Sequence, residues 1–262
     1  MSVLFFIKRG FRFLITSIKY KKIFLFYGLT KLFPYSYFNF KISHTDDNEV
    51  IKSHKRKNKD SVGWAHSKKK AEFKVFGRIL YQFEIKDPGE VNIHHFYFSR
   101  SLKPFIKSFE YLRKKGIKVN LNHKSIVFEP GCNVGKILTY FSDKYSCNIM
   151  GVDIFEPSIS VAKKISISKK EKFLCKNLVT SQFLNAFSNS HFDLVFVSSH
   201  LVHIKHHELG LKSYLRELLR IGKQVMFFEK KDIDLLQTAK VLNFELFEVN
   251  DFLIGINSSD RL

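Results

Sequence analysis

Seven residues, Glu129-Pro130-Gly131-Cys132-Asn133-Val134-Gly135, follow the short apolar run Ile126–Phe128 and precede a helix-like pattern. A turn of this kind can seat a nucleotide-like ligand. Gly131 lets the backbone turn sharply and approach a ligand with no Cβ in the way, and Gly135 lets the next helix pack closely. Asn133 stands between them where a middle glycine is usual. Asn is the non-glycine residue that best tolerates positive φ, so it can take that place. A second carboxylate, Asp153, ends the next apolar run, 24 residues after Glu129. At a strand end and at this distance, a carboxylate can accept hydrogen bonds from two ribose hydroxyls. Each signal has a plainer reading: a Gly-x-x-x-Gly turn can be structural, and an acid at a strand end can cap a helix. Together they point to a bound cofactor.

A histidine cluster follows the fourth apolar run, in Ser198-Ser199-His200-Leu201-Val202-His203-Ile204-Lys205-His206-His207. Histidine titrates near neutrality and suits removal of a proton from a hydroxyl. His203 is the favoured base or acceptor-orienting residue, with His200 beside it and Glu229 as a weaker candidate; pocket shaping is the plainer role for His203. The spacing His200-x-x-His203-x-x-His206 also suggests a metal. With no Cys or carboxylate partner on that stretch, however, no metal site is expected.

These residues need a scaffold that brings strand ends together. From Ser125 onward, short apolar runs alternate with helical patterns, the signature of a parallel sheet covered by helices. Strands are expected over 126–128, 149–152, 173–175, 194–197 and 225–228. Helices are expected over about 134–144, 157–170, 181–188, 206–221 and 232–242, with Pro157 in a first turn. Two apolar runs around Asn250-Asp251 predict an antiparallel hairpin that closes the sheet.

The first hundred residues differ in character. Phe11, Leu14, Ile15 and Ile18 fall at i, i+3, i+4 and i+7 among basic residues, which predicts an amphipathic basic helix. It suits a membrane interface, and it also suits packing on the catalytic domain. The run Ile23–Thr30 is too short to span a bilayer, which needs about 20 apolar residues, and no small-residue cleavage site follows a clean apolar region. Residues 44–74 are densely basic and read as a linker or electrostatic arm. Residues 73–85 alternate like a strand or two, and 101–115 read as a helix ending at a Gly116 cap. A boundary near residue 100 is therefore expected, with a basic aromatic-rich extension over 1–100 and the catalytic domain over 101–262.

Charge follows the same division. Residues 1–124 carry 27 Lys/Arg against 9 Asp/Glu, and residues 125–262 carry 17 against 15. Such a field attracts polyanions, whether anionic lipid, nucleic acid or phosphorylated glycan; a Lys-rich proteome bias is the plainer source. The three cysteines, Cys132, Cys147 and Cys175, form no paired metal spacing or disulfide framework and suit a reducing compartment. A cytoplasmic protein is expected, with a peripheral place at the inner membrane face in the membrane reading. Oligomeric state is left open.

Over Ser125–Asn257, about half the chain, the sequence resembles the class I S-adenosylmethionine-dependent methyltransferases. Val127–Gly135 is similar to the family's first glycine-rich motif, and Gly151–Lys164 to its second. Phe173–Thr180 falls where the family reads adenine, Phe192–Ile204 resembles the fourth-strand motif and Leu215–Glu229 the fifth-strand region. Asn133 and Asn177 depart from the common residues. The resemblance implies a Rossmann-like, doubly wound α/β sheet of seven strands in the order 3-2-1-4-5-7-6, with strand 7 antiparallel. It implies S-adenosylmethionine as cofactor: Glu129, Gly131, Cys132, Asn133 and Gly135 around its amino-acid end, Asp153 and Ile154 at the ribose and adenine face, Asn177 and Leu178 at adenine, and Ser198, Ser199 and His200 at the floor near the sulfonium. The fourth-strand stretch is no Asn/Asp-Pro-Pro-aromatic run, and no Cys follows it, which disfavours N6-adenine and C5-cytosine modification. The expected acceptor is a small molecule, lipid-linked intermediate or saccharide. RNA gripped by the basic arm, with Trp64 and Tyr81 available for stacking, and a non-catalytic cofactor-binding scaffold are the alternatives.

Overall fold

A computed structural model of the chain describes residues 3–32, 38–44, 69–85, 93, 102–178, 182–204, 209–249 and 251–258. Its contacts divide the chain into two compact units, Gly10–Phe98 and Met1–Arg9 with Ser99–Leu262. Helix α1 (Val3–Lys19) runs across that division and is followed by α2 (Lys21–Leu32). Trp64 and most of the basic linker lie outside the described residues.

In the unit Gly10–Phe98, strands β1 (Phe38–His44), β2 (Lys69–Val75) and β3 (Arg78–Ile85) form an antiparallel sheet in the order β1-β2-β3. Phe76 and Gly77 both take positive φ, 48° and 77°, which closes a two-residue turn of the primed kind that suits strand twist. Phe26 of α2 lies against this hairpin, with its ring centroid 4.9 Å from that of Phe73 and 5.2 Å from that of Tyr81.

The larger unit carries the predicted α/β sheet. After α3 (Leu102–Lys114) come β4 (Ile126–Pro130), α4 (Lys136–Tyr145), β5 (Asn148–Asp153), α5 (Glu156–Ile165) and β6 (Glu171–Cys175). Then follow α6 (Gln182–Asn185), β7 (Leu194–Ser198), α7 (Leu201–Ile204), α8 (Gly210–Ile221), β8 (Gln224–Lys230), α9 (Ile233–Val241), β9 (Glu245–Val249) and β10 (Phe252–Ser258). The order β6-β5-β4-β7-β8-β10-β9 is the expected 3-2-1-4-5-7-6, with β10 antiparallel to both neighbours. The hairpin around residue 250 is present, although Asn250 itself lies outside the described residues.

Three helix ends differ from expectation by three residues or more, the helix expected to reach residue 188 ending at Asn185. The helix expected to reach residue 170 stops at Ile165, where Ser166 turns extended and the Glu171 carboxylate takes the Ile167 N–H at 3.1 Å. The helix expected from 206 begins at Gly210, and residues 205–208 lie outside the described residues.

Strand alternation builds a core on each face of the sheet. Leu194, Phe196, Met226 and Phe228 face α3 and α4, whereas Val195, Val197, Val225 and Phe227 face α8 and α9. Phe105 of α3 is the hub of the first layer. Its ring centroid lies 5.0 Å from that of Phe196 and 5.8 Å from those of Tyr140 and Phe141. Phe105→Ala is expected to cost roughly 3–5 kcal/mol of stability, the range for emptying a buried aromatic site. Urea unfolding followed by circular dichroism measures it, and a loss below 1 kcal/mol would mean that α3 is peripheral to the core.

Candidate cofactor site

The sheet order reverses at β4, since β5 and β6 lie to one side and β7 and β8 to the other. Loops leaving neighbouring strands there diverge and open a crevice at the carboxyl ends, the usual ligand position in open α/β sheets. Glu129, Asp153 and Ser198 stand at the ends of β4, β5 and β7, so the predicted residues converge at this crevice.

The turn after β4 is built as its residues require. Gly131, Asn133 and Gly135 all take positive φ, at 69°, 50° and 68°. Asn133 thus adopts the conformation for which its residue type was read. Its amide is placed by Asp153, whose Oδ2 accepts the Asn133 N–H at 2.8 Å while Oδ1 accepts the Phe155 N–H at 2.9 Å. The Asn133 side-chain oxygen in turn accepts from the Ser158 hydroxyl at 2.9 Å, tying the turn to α5. Gly131 and Cys132 both donate to the Val152 carbonyl, at 2.8 and 3.1 Å. A Cβ at Gly131 would stand 2.4 Å from His200 Nδ1, and one at Gly135 would stand 2.3 Å from Phe173. The glycine at 131 therefore makes room for the His200 ring, and the one at 135 for a ring of β6.

Glu129 is the electrostatic oddity of the site. It is buried, and its Oε2 has no hydrogen-bond partner among the described residues. Burial first, and the neighbouring Asp153 second, hold its carboxyl well above the usual range. Asp153 is also raised, by burial, against the opposing pull of the Phe155 and Asn133 N–H groups and of nearby His203. Two carboxyl groups sharing a desolvated crevice favour a proton or another cation beside them.

On the far wall, Glu229 of β8 is buried and accepts two backbone N–H groups through Oε1, from His200 at 2.6 Å and Leu201 at 2.9 Å. Its carboxylate fixes the loop after β7, and burial raises it to about 7. Ser199 in that loop takes positive φ, 51°. His200 Nε2 lies 3.2 Å from the hydroxyl of Tyr214 on α8. Tyr214 is wholly buried, its hydroxyl pKa raised by burial. Spacing did not separate Tyr214 from its neighbours Leu211, Leu215 and Leu218, because all four share one core-facing stripe. A hydroxyl on an otherwise aliphatic stripe was the sole available sign.

The other predicted residues divide. Cys132 is buried, its thiol raised by burial, and its Sγ fills the space a Cβ on Gly151 would need. Ile154, next to Asp153 in the chain, and Asn177, two residues past the strand partner Cys175, are exposed, and Leu178 is buried in the core layer that includes Val152. His203 is exposed on α7, its N–H bonded to the His200 carbonyl at 3.0 Å. His206 and His207 lie outside the described residues.

Residues 128–226 match the family described as methyltransferase domain. This segment carries the turn, both carboxylates and the histidine loop. This segment is a methyltransferase domain, and the sheet that carries it has the strand order of the class I S-adenosylmethionine-dependent fold. Among solved structures, it is similar to a protein from Methanococcus maripaludis assigned as an S-adenosyl-L-methionine-dependent methyltransferase. That match has a TM-score of 0.50 at 10% identity and covers 64% of this chain and 90% of the other. A methyltransferase of the same cofactor class from Aquifex aeolicus matches with a TM-score of 0.42 at 15% identity, over 57% of this chain and 87% of the other. No curated protein matches the chain in sequence. The methyltransferase domain uses S-adenosylmethionine, and its turn suits that cofactor. A partnerless buried carboxylate oxygen fits the cationic amino-acid end, and Asp153 keeps an acceptor position on each oxygen after its backbone bonds.

Glu229 gives a pH test of this wall. Below its ordinary 4.5, the folded and unfolded carboxyls are both protonated. As pH rises towards about 7, the unfolded group ionises while the folded one keeps its proton, so stability falls by roughly 3 kcal/mol. Glu229→Gln keeps the accepting oxygen and cannot ionise. It is expected to exceed the wild type in Tm at pH 8 and to match it near pH 4.5. Thermal unfolding at both pH values checks this; destabilisation at pH 8 greater than at pH 4.5 would mean that the charged form holds the loop.

Proposed function

We propose that this methyltransferase acts on an oxygen or nitrogen of a small molecule, lipid-linked intermediate or saccharide, working peripherally at the cytoplasmic face of a membrane. The observation that carries the cofactor assignment is the buried, partnerless Oε2 of Glu129 beside the Gly131–Gly135 turn. S-adenosylmethionine, when bound, supplies an electrophilic methyl group on a sulfonium. In this reading Glu129 faces the cofactor's ammonium, while Cys132 and the backbone of the turn line its amino-acid end. Asp153 accepts the ribose hydroxyls, and Ile154, Asn177 and Leu178 flank the adenine. Ser198, Ser199 and His200 form the floor beneath the reacting centre, with His200 held against Gly131 and Tyr214.

Alignment of acceptor, methyl and sulfonium carries most of the acceleration in such a transfer. His203 removes the acceptor's proton where the acceptor carries one, and its exposed place on α7 near Asp153 supports that role. Glu229 is withdrawn from the base role, since its Oε1 is occupied by two backbone N–H groups.

Calorimetric titration with S-adenosylmethionine tests the cofactor assignment. Burial and Asp153 favour the neutral form of Glu129 before binding, and an ammonium brought against it favours the ionised form. Binding is therefore expected to release protons over part of a pH series, seen as a heat that varies with the buffer's ionisation enthalpy. Glu129→Gln should abolish that variation, and Asp153→Ala should weaken binding by roughly 1–3 kcal/mol. Binding unchanged in Asp153→Ala would remove the ribose role, and a well-folded wild type that fails to bind would favour the scaffold reading.

His203→Ala is expected to leave cofactor affinity unchanged and to slow methyl transfer on the order of 10²-fold or more, the scale of general base catalysis. Turnover with the acceptor found by screening methyl incorporation from labelled cofactor measures it. Equal turnover would remove His203 as base.

A further inference from the structure

Helix α1 is two-faced in an unusual sense, because its outer face is the apolar one. Arg12 and Thr16 are each 2% exposed and share the buried side with Phe5 and Tyr20. The opposite side carries Leu4, Ile7, Phe11, Leu14 and Ile18 at alternating spacings of three and four. They are 49%, 61%, 54%, 56% and 64% exposed. In a helix, this spacing gathers them into one continuous stripe. Ordinary amphipathic packing would bury that stripe and leave the arginine outside. The sequence spacing located part of the stripe, from Phe11 to Ile18; the structure extends it to Leu4 and turns it outward.

We infer that α1 docks in the plane of an anionic lipid bilayer, inserting the Leu4–Ile18 stripe among the acyl chains. The inference rests on the membrane part of the proposed function and names the surface that makes the contact. Three observations select this occupant. Lys19, Lys21 and Lys22 are exposed at the end of the helix or just after it, within reach of lipid phosphates. The unit Gly10–Phe98 carries 17 Lys/Arg against 8 Asp/Glu. A second copy of the chain would bring the same positive charge to the contact, whereas an anionic membrane complements it. Third, α1 has 17 residues with basic residues along it, and no described helix is long and apolar enough to cross a membrane. An interfacial position is what such a helix can take.

The helix also reaches the catalytic domain. Its first turns belong to the same compact unit as the methyltransferase sheet. There Phe5 packs edge-on against Tyr140 of α4, with ring centroids 6.3 Å apart, and Lys8 Nζ reaches the Ser142 carbonyl at 3.4 Å. Helix α4 springs from the cofactor turn at Gly135. Docking through Leu4 and Ile7, in the turns tied to α4, would hold the cofactor domain near the bilayer, and the acceptor this selects is one carried on a membrane lipid.

The test uses the full chain in sedimentation with phosphatidylcholine vesicles, with and without phosphatidylglycerol, beside the variant Ile7→Ser/Leu14→Ser/Ile18→Ser. These three side chains are exposed, so the fold should survive; circular dichroism and S-adenosylmethionine titration confirm that it has. The wild type is expected to bind the anionic vesicles and the variant to bind them more weakly, on the order of a hundredfold. A folded variant that binds as tightly as the wild type would overturn the stripe assignment and leave the membrane reading standing on another segment. A wild type that ignores anionic vesicles would overturn both, and retention of an RNA oligonucleotide by that protein would favour the nucleic-acid alternative. Self-association of the wild type that is lost in the variant, without vesicle binding, would instead assign the stripe to a second copy.

Discussion

Backbone N–H groups from the loops around the crevice end on two carboxylates, and the site depends on this interaction. Asp153 accepts from Asn133 and Phe155, and Glu229 accepts from His200 and Leu201. A carboxylate offers several acceptor positions at one point, so a single side chain can fix two loop amides that no ladder satisfies. Asp153 thereby sets the conformation of the turn after β4, and Glu229 sets the floor after β7. The His200 ring then meets Gly131 where the two loops converge.

Concentrating acids in this way has an electrostatic consequence. Glu129, Asp153 and Glu229 all have raised pKa values, in each case with burial as the largest cause. Desolvation favours the neutral forms until a cation arrives. In the proposed binding mode, the cofactor's ammonium would meet this crevice at the Glu129 oxygen that has no hydrogen-bond partner among the described residues.

Helix α1 extends the same economy of parts to the molecule's surface. One helix buries Arg12 and Thr16 inward, packs Phe5 on α4 and turns its aliphatic stripe outward. Packing on the domain and docking on a membrane looked like alternatives along the sequence. In the folded chain the packed side and the exposed apolar stripe are different faces of one helix.

Local chemistry made much of the protein legible in advance. Alternating apolar runs and helical patterns specified the α/β class, because burial on both faces of a parallel sheet demands them. Positive φ at Asn133 was readable because few residue types tolerate it, and Gly116, Pro157 and the hairpin near residue 250 followed from backbone stereochemistry alone. Facts that depend on distant segments meeting were decided only by tertiary structure. That Gly131 yields to His200 rather than only to a ligand, that Glu229 binds two amides 28 and 29 residues away, and that Tyr214 turns its hydroxyl to His200 are pairings across loops. Periodicity gave the stripe on α1, but whether it faced inward or outward depended on which side the rest of the chain covered. Sequence spacing sets which residues share a face, whereas burial, and with it ionisation and exposure, is a property of what packs against that face.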